Sequence, residues 1–301
     1  MDYKHIIKSR ETRKAILKGL EFIPDKPMIK LQYRLHNGMK LNLSNPKRYT
    51  EKLQWYKLYY HDPVMRQCVD KHAVRDYIKS KGLEEILIPE YGYYDNPDNI
   101  DWNLLPSKFV LKLTNGGGGL NCIFCPDKSR FDFVDATLKL KEWIGTNNRI
   151  SPGRDWAYND LKPAIICEAF LDPDDQNGKG LDDYKFFCFD GKTVLKWVDF
   201  DRYVKHKRVL FTPEGDRIDV ICTHESPSNF HYPEEAFNAM QPVVDALSKD
   251  FPHVRVDLYY TNHRIYFGEL TFYSGGGYEP FTPDEFDFEL GAKWKLPNPR
   301  V

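Results

Sequence analysis

The sequence predicts an α+β fold, and three features indicate it. Helical patterns fill most of residues 46–81, the second half of the chain is mainly strand-like, and KLTNGGGGLN places four glycines between two strand-like runs. Glycine loses more backbone entropy on folding than any other residue, so four together indicate a sharp bend or a close approach of the backbone to another group. That group is usually a phosphate.

The composition is that of an ordinary globular protein. The 301 residues are 41% hydrophobic and 15% aromatic, which suffices for one large domain or two modest ones. No run of about 18 apolar residues occurs, and the first residues lack the charged tip and apolar block of a secretory signal. We therefore expect a cytoplasmic protein with six reduced cysteines, in which Cys122 and Cys125 are small strand side chains rather than half of a zinc site.

Charge is unevenly distributed along the chain. Residues 1–60 contain 14 Lys and Arg against five acids, whereas the whole chain has a formal net charge of −1. Residues 1–60 are therefore predicted to be a basic, mainly helical segment, which could lie on the anionic inner membrane surface or pack on the core with a solvated outer face. Because the rest of the chain is acidic, we expect no nucleic-acid partner.

Turn residues and apolar spacing define the next elements. Asn45-Pro46 opens one helix, and Asp62 with Pro63 begins a second that continues to Gly82. A further helix is predicted over residues 134–148. Residues 151–163 are too rich in turn residues for a regular element.

Two hairpins are predicted in the second half. YKFFCFDGKTVLKWVDF is typical of two strands joined at Asp190-Gly191, and VRVDLYYTNHRIYFGELTFY predicts a hairpin with a three-residue turn at Thr261–His263. The alternation of this second hairpin places four polar side chains on one face as direct or diagonal neighbours: Arg255, Asp257, Glu269 and Thr271. Two neighbouring carboxylates are tolerated if they are solvated or share a cation such as Mg²⁺, and both interpretations remain open.

Lys112 provides a second candidate site. In FVLKLTN, one strand face carries Phe109, Leu111 and Leu113, and Lys112 lies on the other, where its ammonium group could reach a phosphate held by the glycine loop. The Walker A sequence, the dinucleotide fingerprint and the protein-kinase motifs are absent from the sequence. An ordinary flexible hairpin is the alternative interpretation.

The order of these features resembles the ATP-grasp fold. The sequence also resembles the TupA-like ATP-grasp family, named for teichuronopeptide biosynthesis, over about residues 40–291. The segments that carry this resemblance are NPKRYTEKLQWYKLYY, VDKHAVRDYIK, DYKFFCFDG, HKR, VRVDLY and YFGELTFYSGGG. The resemblance implies two α+β subdomains that sandwich the nucleotide, with a catalytic domain over residues 61–301 and a lid-like subdomain over about residues 108–167.

The resemblance also implies an activity. It implies ATP- and Mg²⁺-dependent joining of a carboxylic acid to an amine through an acyl phosphate, with release of ADP. The expected acid is a uronic acid or glycan acceptor in the biosynthesis of a surface polysaccharide such as capsule, O-antigen or teichuronopeptide, and the expected amine is an amino acid or similar compound.

Roles for individual residues follow from the same resemblance. The residues expected to bind nucleotide are Lys71, Lys112, Gly116, Gly117, Gly118, Gly119, Glu168 and Asp183, with Glu168 at the adenine hinge and Asp183 toward the ribose. The expected metal ligands are Asp257, Glu269 and Thr271. Arg255 would stabilise the transferring phosphoryl group, and Lys185 would lie near it.

Substrate contacts are expected from a basic cluster, a glycine loop and one aromatic residue: Arg202, Arg208, Gly275, Gly276 and Trp156. A solvated loop is the alternative for the basic cluster, and core packing is the alternative for Trp156. The sequence departs from the general ATP-grasp pattern in two ways. Glu269-Leu270-Thr271 replaces Glu-x-Asn, which puts a second metal in doubt, and about 60 residues are too few for the usual Rossmann-like domain ahead of the grasp.

Two other classes of function remain open. Asp199-Phe200-Asp201 looks like the D-x-D metal motif of glycosyltransferases that use nucleotide sugars, which would place the metal there. A glycan-binding module without catalysis is the third class, and it would leave Lys112, Asp257 and Glu269 without a purpose.

Overall fold

The computed structural model of the protein describes residues 9–117, 121–145, 150–173 and 180–301, so the predicted loop residues Gly118 and Gly119 lie outside the described residues. The α-helices of the described part are α1 (Arg10–Gly19), α2 (Asp25–Asn37), α3 (Tyr49–Tyr59), α4 (Pro63–Val69), α5 (Val74–Ser80), α6 (Phe133–Gly145), α7 (Glu234–Ser248) and α8 (Glu285–Lys293). Its strands are β1 (Glu90–Tyr94), β2 (Phe109–Leu113), β3 (Cys122–Cys125), β4 (Ile165–Ala169), β5 (Asp183–Phe189), β6 (Lys192–Phe200), β7 (Lys207–Phe211), β8 (Arg217–Ile218), β9 (His253–Thr261) and β10 (Arg264–Thr271).

The helix predicted from Pro63 to Gly82 is two helices, so that prediction was wrong in one respect. It begins as predicted, with Asp62 accepting a hydrogen bond from the Val64 N–H at 3.0 Å. At Asp70 the chain leaves the helix, because the Asp70 carboxylate accepts hydrogen bonds from the backbone N–H groups of His72 and Ala73, at 2.9 Å each. The break frees the Lys71 N–H, which donates to the Thr114 carbonyl oxygen at 2.9 Å.

The smaller sheet has the strand order β1-β4-β2-β3 and is antiparallel throughout. One face buries a separate apolar cluster against α6 that includes Phe109, Leu111, Leu113, Leu140, Ile165 and Cys167. This arrangement confirms the predicted faces of β2 and leaves Lys112 on the opposite face. Cys122 and Cys125 are free thiols in β3, as the sequence predicted.

The larger sheet has the strand order β10-β9-β5-β6-β7-β8 and is also antiparallel. Its back face carries apolar side chains that pack in the main core: Tyr184, Phe186, Val198, Val209, Val254, Val256, Leu258 and Leu270. From α7, Phe237, Met240 and Val244 join the same core. Asp190 and Gly191 have φ values of 48° and 74°, which confirms the predicted tight turn between β5 and β6.

The predicted three-residue turn between β9 and β10 was wrong. The turn has two residues, Asn262 and His263, with φ values of 51° and 55°. Continued pairing from this turn would set Glu269 opposite Val256 on the apolar face. A bulge at Gly268 shifts the register, so that Glu269 pairs with Asp257 and Thr271 with Arg255. Glycine is required there because a Cβ would lie 2.8 Å from the Asp257 carbonyl oxygen.

The two N-terminal helices form the basic start of the described chain. Arg154 holds their connection to the body, donating to the carbonyl oxygens of Leu20 and Ile23 at 2.8 and 2.9 Å. On the outer face of α2, Leu31 is 46% and Leu35 43% exposed, and charged side chains flank them. Among the described residues, no helix is both long enough and apolar enough to cross a membrane.

Candidate active site

A cleft of about 1530 Å³ lies between the two sheets. The small sheet and its loops form one wall, and the polar face of the large sheet forms the other. Its lining includes Lys71, Lys112, Gly116, Gly117, Asp183, Lys185, Arg255, Asp257, Glu269 and Thr271. Residues that the sequence analysis proposed from widely separated segments therefore meet in one cavity.

Lys112 and Glu168 form the wall that belongs to the small sheet. The Lys112 Nζ donates to the Glu168 Oε2 at 2.6 Å, and Glu168 lies opposite Val110 in the β2–β4 pairing. Burial lowers the pKa of Lys112, but the Glu168 carboxylate outweighs burial and the pKa is raised overall. Lys112 thus remains a cation beside the glycine loop, which is the charge that a phosphate requires.

Lys71 joins this wall because of the helix break. Its Nζ donates to the Gly116 carbonyl oxygen, and its backbone N–H holds Thr114 at the end of β2. Two independent bonds therefore fix the start of the glycine loop against Lys71. The two lysines and the described glycines, Gly116 and Gly117, line the same part of the cleft.

The facing wall carries charged side chains in cross-strand register. Asp257 is paired with Lys185, whereas Asp183 is paired with a second acid, Asp199. The Lys185 Nζ donates to Asp183 Oδ2 at 2.5 Å and to Asp257 Oδ2 at 2.7 Å. These four residues are at most 5% exposed. Side chains this deeply buried stay ionised only when groups of opposite charge lie beside them, so the wall is a network of ion pairs.

Arg255 is the centre of this network. Its Nε and Nη2 donate to the two Asp257 carboxylate oxygens at 2.6 Å each, and its Nη1 donates to the Ser274 Oγ at 2.8 Å. The Nη2 also donates to the Thr271 Oγ1 at 3.1 Å. Burial lowers the pKa of Arg255, but Asp257 and Glu269 outweigh burial and raise it. Arg255 is therefore a fixed cation of defined orientation.

Asp257 and Glu269 are adjacent carboxylates with different surroundings. Asp257 is buried, which raises its pKa to about 6 despite Arg255 and Lys185 beside it. The Glu269 side chain is 32% exposed toward the cleft. Burial raises the pKa of Glu269, but the nearby cations Lys71, Arg255 and Lys185 outweigh burial and lower the pKa to about 2. Thr271 donates its hydroxyl to Glu269 at 3.1 Å, so the three predicted metal ligands are contiguous.

The basic cluster is more tightly paired than its sequence suggested. Arg202 donates to Asp183 Oδ2 at 2.6 Å. Arg208 is 5% exposed, donates through Nε and Nη2 to the two Asp199 oxygens at 2.6 and 3.0 Å, and lies over the Trp197 ring. Both arginines line the cleft. Arg202 and Arg208 are therefore paired with acids at the cleft, which differs from the alternative interpretation of this cluster as a solvated loop.

The pairing of Arg208 also bears on the D-x-D interpretation. Asp199 is bound by Arg208 through both oxygens, and Asp201 accepts a hydrogen bond from the Lys207 Nζ at 2.8 Å. Burial raises the pKa of Asp199, but hydrogen bonds from His206 and Arg208 lower it well below the usual range. Arginine and lysine thus hold both oxygens of Asp199 and one of Asp201, as Arg255 and Lys185 hold both oxygens of Asp257. Asp257 and Glu269 both line the cleft, whereas of the two acids in this motif only Asp199 does, which weighs against a metal site at the motif.

The glycine loop after β10 lies on the cleft, whereas Trp156 does not line it. Gly275 and Gly276 are lining residues with φ values of 54° and 63°. Trp156 stacks on the His61 ring at 4.4 Å between centroids and packs against the main core. Tyr158, two residues on, lines the cleft instead.

Sequence reasoning missed the buried lysine that holds the glycine loop after β10. The side chain of Lys57 is fully buried, and its Nζ donates to the carbonyl oxygens of Gly153 and Gly276 at 2.8 and 2.5 Å. It also forms an ion pair with Asp155 at 2.9 Å. In the sequence Lys57 is one lysine among many in a basic segment, so no local signal marks it.

The other missed residues lie at the far end of the cleft. Glu279, His206 and His224 line it there, and the two histidine rings stack with centroids 3.7 Å apart. Their positions depend on loops whose paths no periodicity predicts.

A cleft between two antiparallel sheets, with a lysine and glycine loop on one and paired acids on the other, is the architecture of an ATP-grasp protein. The sequence matches the family model described as TupA-like ATPgrasp over residues 51–295. The chain belongs to the TupA-like ATP-grasp family and has the ATP-grasp fold, which confirms the resemblance seen in the sequence.

Several solved ligases are distantly similar. D-alanine–D-alanine ligase from Bacillus anthracis is 15% identical, with a TM-score of 0.41 over 68% of this chain and 56% of that one. L-amino acid ligase from Bacillus licheniformis is 14% identical, with a TM-score of 0.41 over 90% of this chain and 57% of that one. Phosphoribosylamine–glycine ligase from Thermotoga maritima is 11% identical, with a TM-score of 0.43 over 79% of this chain and 58% of that one. The chain thus spans somewhat over half the length of these proteins, and a comparison with curated proteins finds no significant match.

Proposed function

We propose that this protein is an ATP- and Mg²⁺-dependent ligase that joins a carboxylic acid to an amine, forming an amide and releasing ADP. One observation carries the proposal. Asp257 and Glu269 are paired on the large sheet beside Arg255 and Lys185, in the same cleft as Lys112. Membership of the TupA-like ATP-grasp family supports it.

The nucleotide would lie along the wall that the small sheet provides. Lys112 and Lys71 would neutralise the phosphates, and the glycine loop from Gly116 would close over them, with residues 108–167 acting as a lid. Glu168 lies where β4 ends, the position proposed for the adenine hinge, and Asp183 is proposed to face the ribose. Among the similar solved structures, a D-alanine–D-alanine ligase from Bacillus anthracis is complexed with ATP, and the ATP-grasp ligase PsnB is complexed with Mg and ADP.

Glu269 would be the main protein ligand of a magnesium ion on the large sheet. Its side chain is 32% exposed and the Thr271 hydroxyl is beside it. The adjacent Asp257, whose oxygens are held by Arg255 and Lys185 in this structure, would give up one of these contacts to join it. Mg²⁺ is usually held by one or two carboxylates plus substrate phosphates. Within the described residues, no group of three or more His, Cys, Asp or Glu side chains could hold a metal by itself. When bound, the ion would neutralise charge on the phosphates.

The protein side chains would act mainly by position and charge. Arg255 faces Asp257 with its guanidinium fixed by three further oxygens, so it can stabilise the phosphoryl group as it passes from ATP to the acid. Lys185 holds its charge between Asp183 and Asp257, and it would assist the same transfer. The amine then attacks the acyl carbon of the resulting acyl phosphate, and phosphate leaves.

We propose that the acid is a uronic acid in the biosynthesis of a surface polysaccharide, such as capsule, O-antigen or teichuronopeptide. The resemblance of the chain to proteins named for teichuronopeptide biosynthesis supports this proposal. The amine would be an amino acid or similar compound.

An ADP-release assay tests this function. The purified protein, Mg²⁺ and ATP would be incubated with free glucuronic acid, free galacturonic acid or UDP-glucuronic acid, and with an equimolar mixture of the twenty standard amino acids or with hydroxylamine. We expect ADP release that requires a uronate, and a uronyl hydroxamate when hydroxylamine is present. ATP turnover that is indifferent to every acid, with no hydroxamate, would contradict the proposal.

We further propose that the basic N-terminal part contacts the anionic inner membrane surface. On α2, Leu31 and Leu35 are exposed, each directly after a basic residue, Lys30 and Arg34, and this pattern fits an interfacial helix. In co-sedimentation with vesicles of phosphatidylglycerol and phosphatidylethanolamine, we expect binding that 0.5 M salt weakens and that Leu31→Glu with Leu35→Glu weakens further. Equal sedimentation of the wild type with neutral phosphatidylcholine vesicles would contradict the electrostatic contact.

A further inference from the structure

Glu279 lines the cleft without a close partner. Its side chain is 30% exposed, and among the described residues its nearest cation is the Arg208 Nη1 at 3.9 Å, which is beyond hydrogen-bond distance. Arg208 is held through Nε and Nη2 by Asp199, and its Nη1, which faces Glu279, also donates to the Cys222 carbonyl oxygen and the Thr223 Oγ1 at 3.3 Å each. Glu279 is therefore an anion close enough to Arg208 for electrostatic attraction but not hydrogen-bonded to it.

The glycine loop after β10 makes room for the Glu279 carboxylate. At Gly275, with φ of +54°, a Cβ would lie 2.3 Å from the Glu279 Cδ and 2.5 Å from its Oε2. Any larger residue at this position would displace the carboxyl group. The side chain of Glu279 thus lies across Gly275, at the surface of the cleft.

This position is next to the proposed phosphoryl-transfer centre. Ser274, which precedes Gly275, accepts a hydrogen bond from the Arg255 Nη1 at 2.8 Å. Arg255 in turn binds Asp257 and Thr271. A short chain of contacts therefore connects Glu279 with the residues proposed to hold the transferring phosphate.

The groups around Glu279 favour a cationic ligand. Burial and the neighbouring Arg208 lower the pKa of His224 to about 4, so His224 is neutral at physiological pH. His206, stacked on it, lies 3.3 Å from Asp199. Arg208 is buried and all three of its nitrogen atoms already donate hydrogen bonds, whereas Glu279 is partly exposed to the cleft.

We propose that Glu279 binds the amine substrate, an α-amino acid, through its ammonium group. We also propose that Glu279 is the base of the second half-reaction. This inference rests on the proposed ligase function and assigns the amine site within it.

The proton balance is as follows. The ammonium group loses one proton to solvent to give the neutral amine, and its nitrogen lone pair forms the C–N bond with the acyl carbon. The bond between that carbon and the phosphate oxygen breaks, and inorganic phosphate leaves with the electron pair. The nitrogen loses its second proton to the Glu279 carboxylate.

Hydroxylamine separates this role from the rest of the reaction. It is uncharged at neutral pH and strongly nucleophilic, so it requires neither recognition of an ammonium group nor a base. The test compares wild type, Glu279→Gln and the control Glu289→Gln, an exposed carboxylate on α8. Each protein receives ATP, Mg²⁺ and a uronate, with either the mixture of twenty amino acids or hydroxylamine, and mass spectrometry quantifies amide and hydroxamate.

We expect Glu279→Gln to lower the ratio of amide to hydroxamate by about 10²-fold, in the range of general-base catalysis, and Glu289→Gln to leave the ratio unchanged. An unchanged ratio in Glu279→Gln would overturn the inference and leave the ligase function intact. Hydroxamate without any amino-acid amide from the wild type would overturn the amino-acid assignment. A wild type that forms neither product with any uronate would overturn the ligase function, and this inference with it.

Discussion

Asp257→Asn is expected to lower the rate of uronate-dependent ADP release by about 10³-fold and to remove its response to Mg²⁺ concentration. The amide keeps the size of the side chain but loses the negative charge that faces Lys185 and Arg255. The proposed metal site would keep Glu269 as its only carboxylate. The rate would be measured against Mg²⁺ concentration at saturating ATP.

The structure indicates that this variant should still fold. Lys185 keeps its bond to Asp183, and Arg255 keeps those to Ser274, Thr271 and Glu269. Asp219→Asn, an exposed change between β8 and α7, is the matched control and should behave as wild type. A variant Asp257→Asn with normal Mg²⁺ dependence would rule out the metal site at this position.

Arg255→Met is expected to destabilise the protein by about 3–5 kcal/mol and to abolish measurable ligase activity. Removal of the guanidinium leaves Asp257 buried with one cation fewer and leaves the Ser274 hydroxyl without its donor. Loss of a cation that stabilises a transferring phosphoryl group costs about 10³-fold or more in rate. Urea unfolding followed by fluorescence would measure the stability change.

Arg255→Lys separates these two effects. It keeps the charge but cannot make the bidentate contact with Asp257, so we expect partial recovery of stability and little recovery of activity. Arg264→Met, on the exposed end of β10, controls for the loss of an arginine at the surface. Full activity in a stable Arg255→Met variant would contradict the proposed role.

Elements with strong local signals could be predicted from the sequence. Features whose geometry depends on contacts between distant segments could not. Alternation correctly placed Asp257 and Glu269 on one face, although the turn between their strands was wrong. The two-residue turn alone would have put Glu269 on the apolar face, and the bulge at Gly268 corrected it. A glycine within a strand is a signal of a bulge, but the sequence does not say to which register it leads.

The helix break at Asp70 was missed for a related reason. Apolar spacing continues through it, and the competing bonds come from the Asp70 side chain and from Thr114, which is distant in sequence. The same limit applies to the amine site: Glu279 lies in the segment after β10 and Arg208 in β7, and nothing in either segment predicts that they meet. The pairing of Arg208 with Asp199 likewise depends on the register of β6 against β7.

The most direct measurement is isothermal titration calorimetry of the protein with a non-hydrolysable ATP analogue in Mg²⁺ and in EDTA, compared with UDP-glucose under the same conditions. We expect Mg²⁺-dependent binding of the ATP analogue, weakened at least about tenfold by Lys112→Met because one cation that contacts the phosphates is lost. We expect no comparable Mg²⁺-dependent binding of UDP-glucose. Binding of UDP-glucose alone, unaffected by Lys112→Met, would contradict the ATP site and favour a glycosyltransferase.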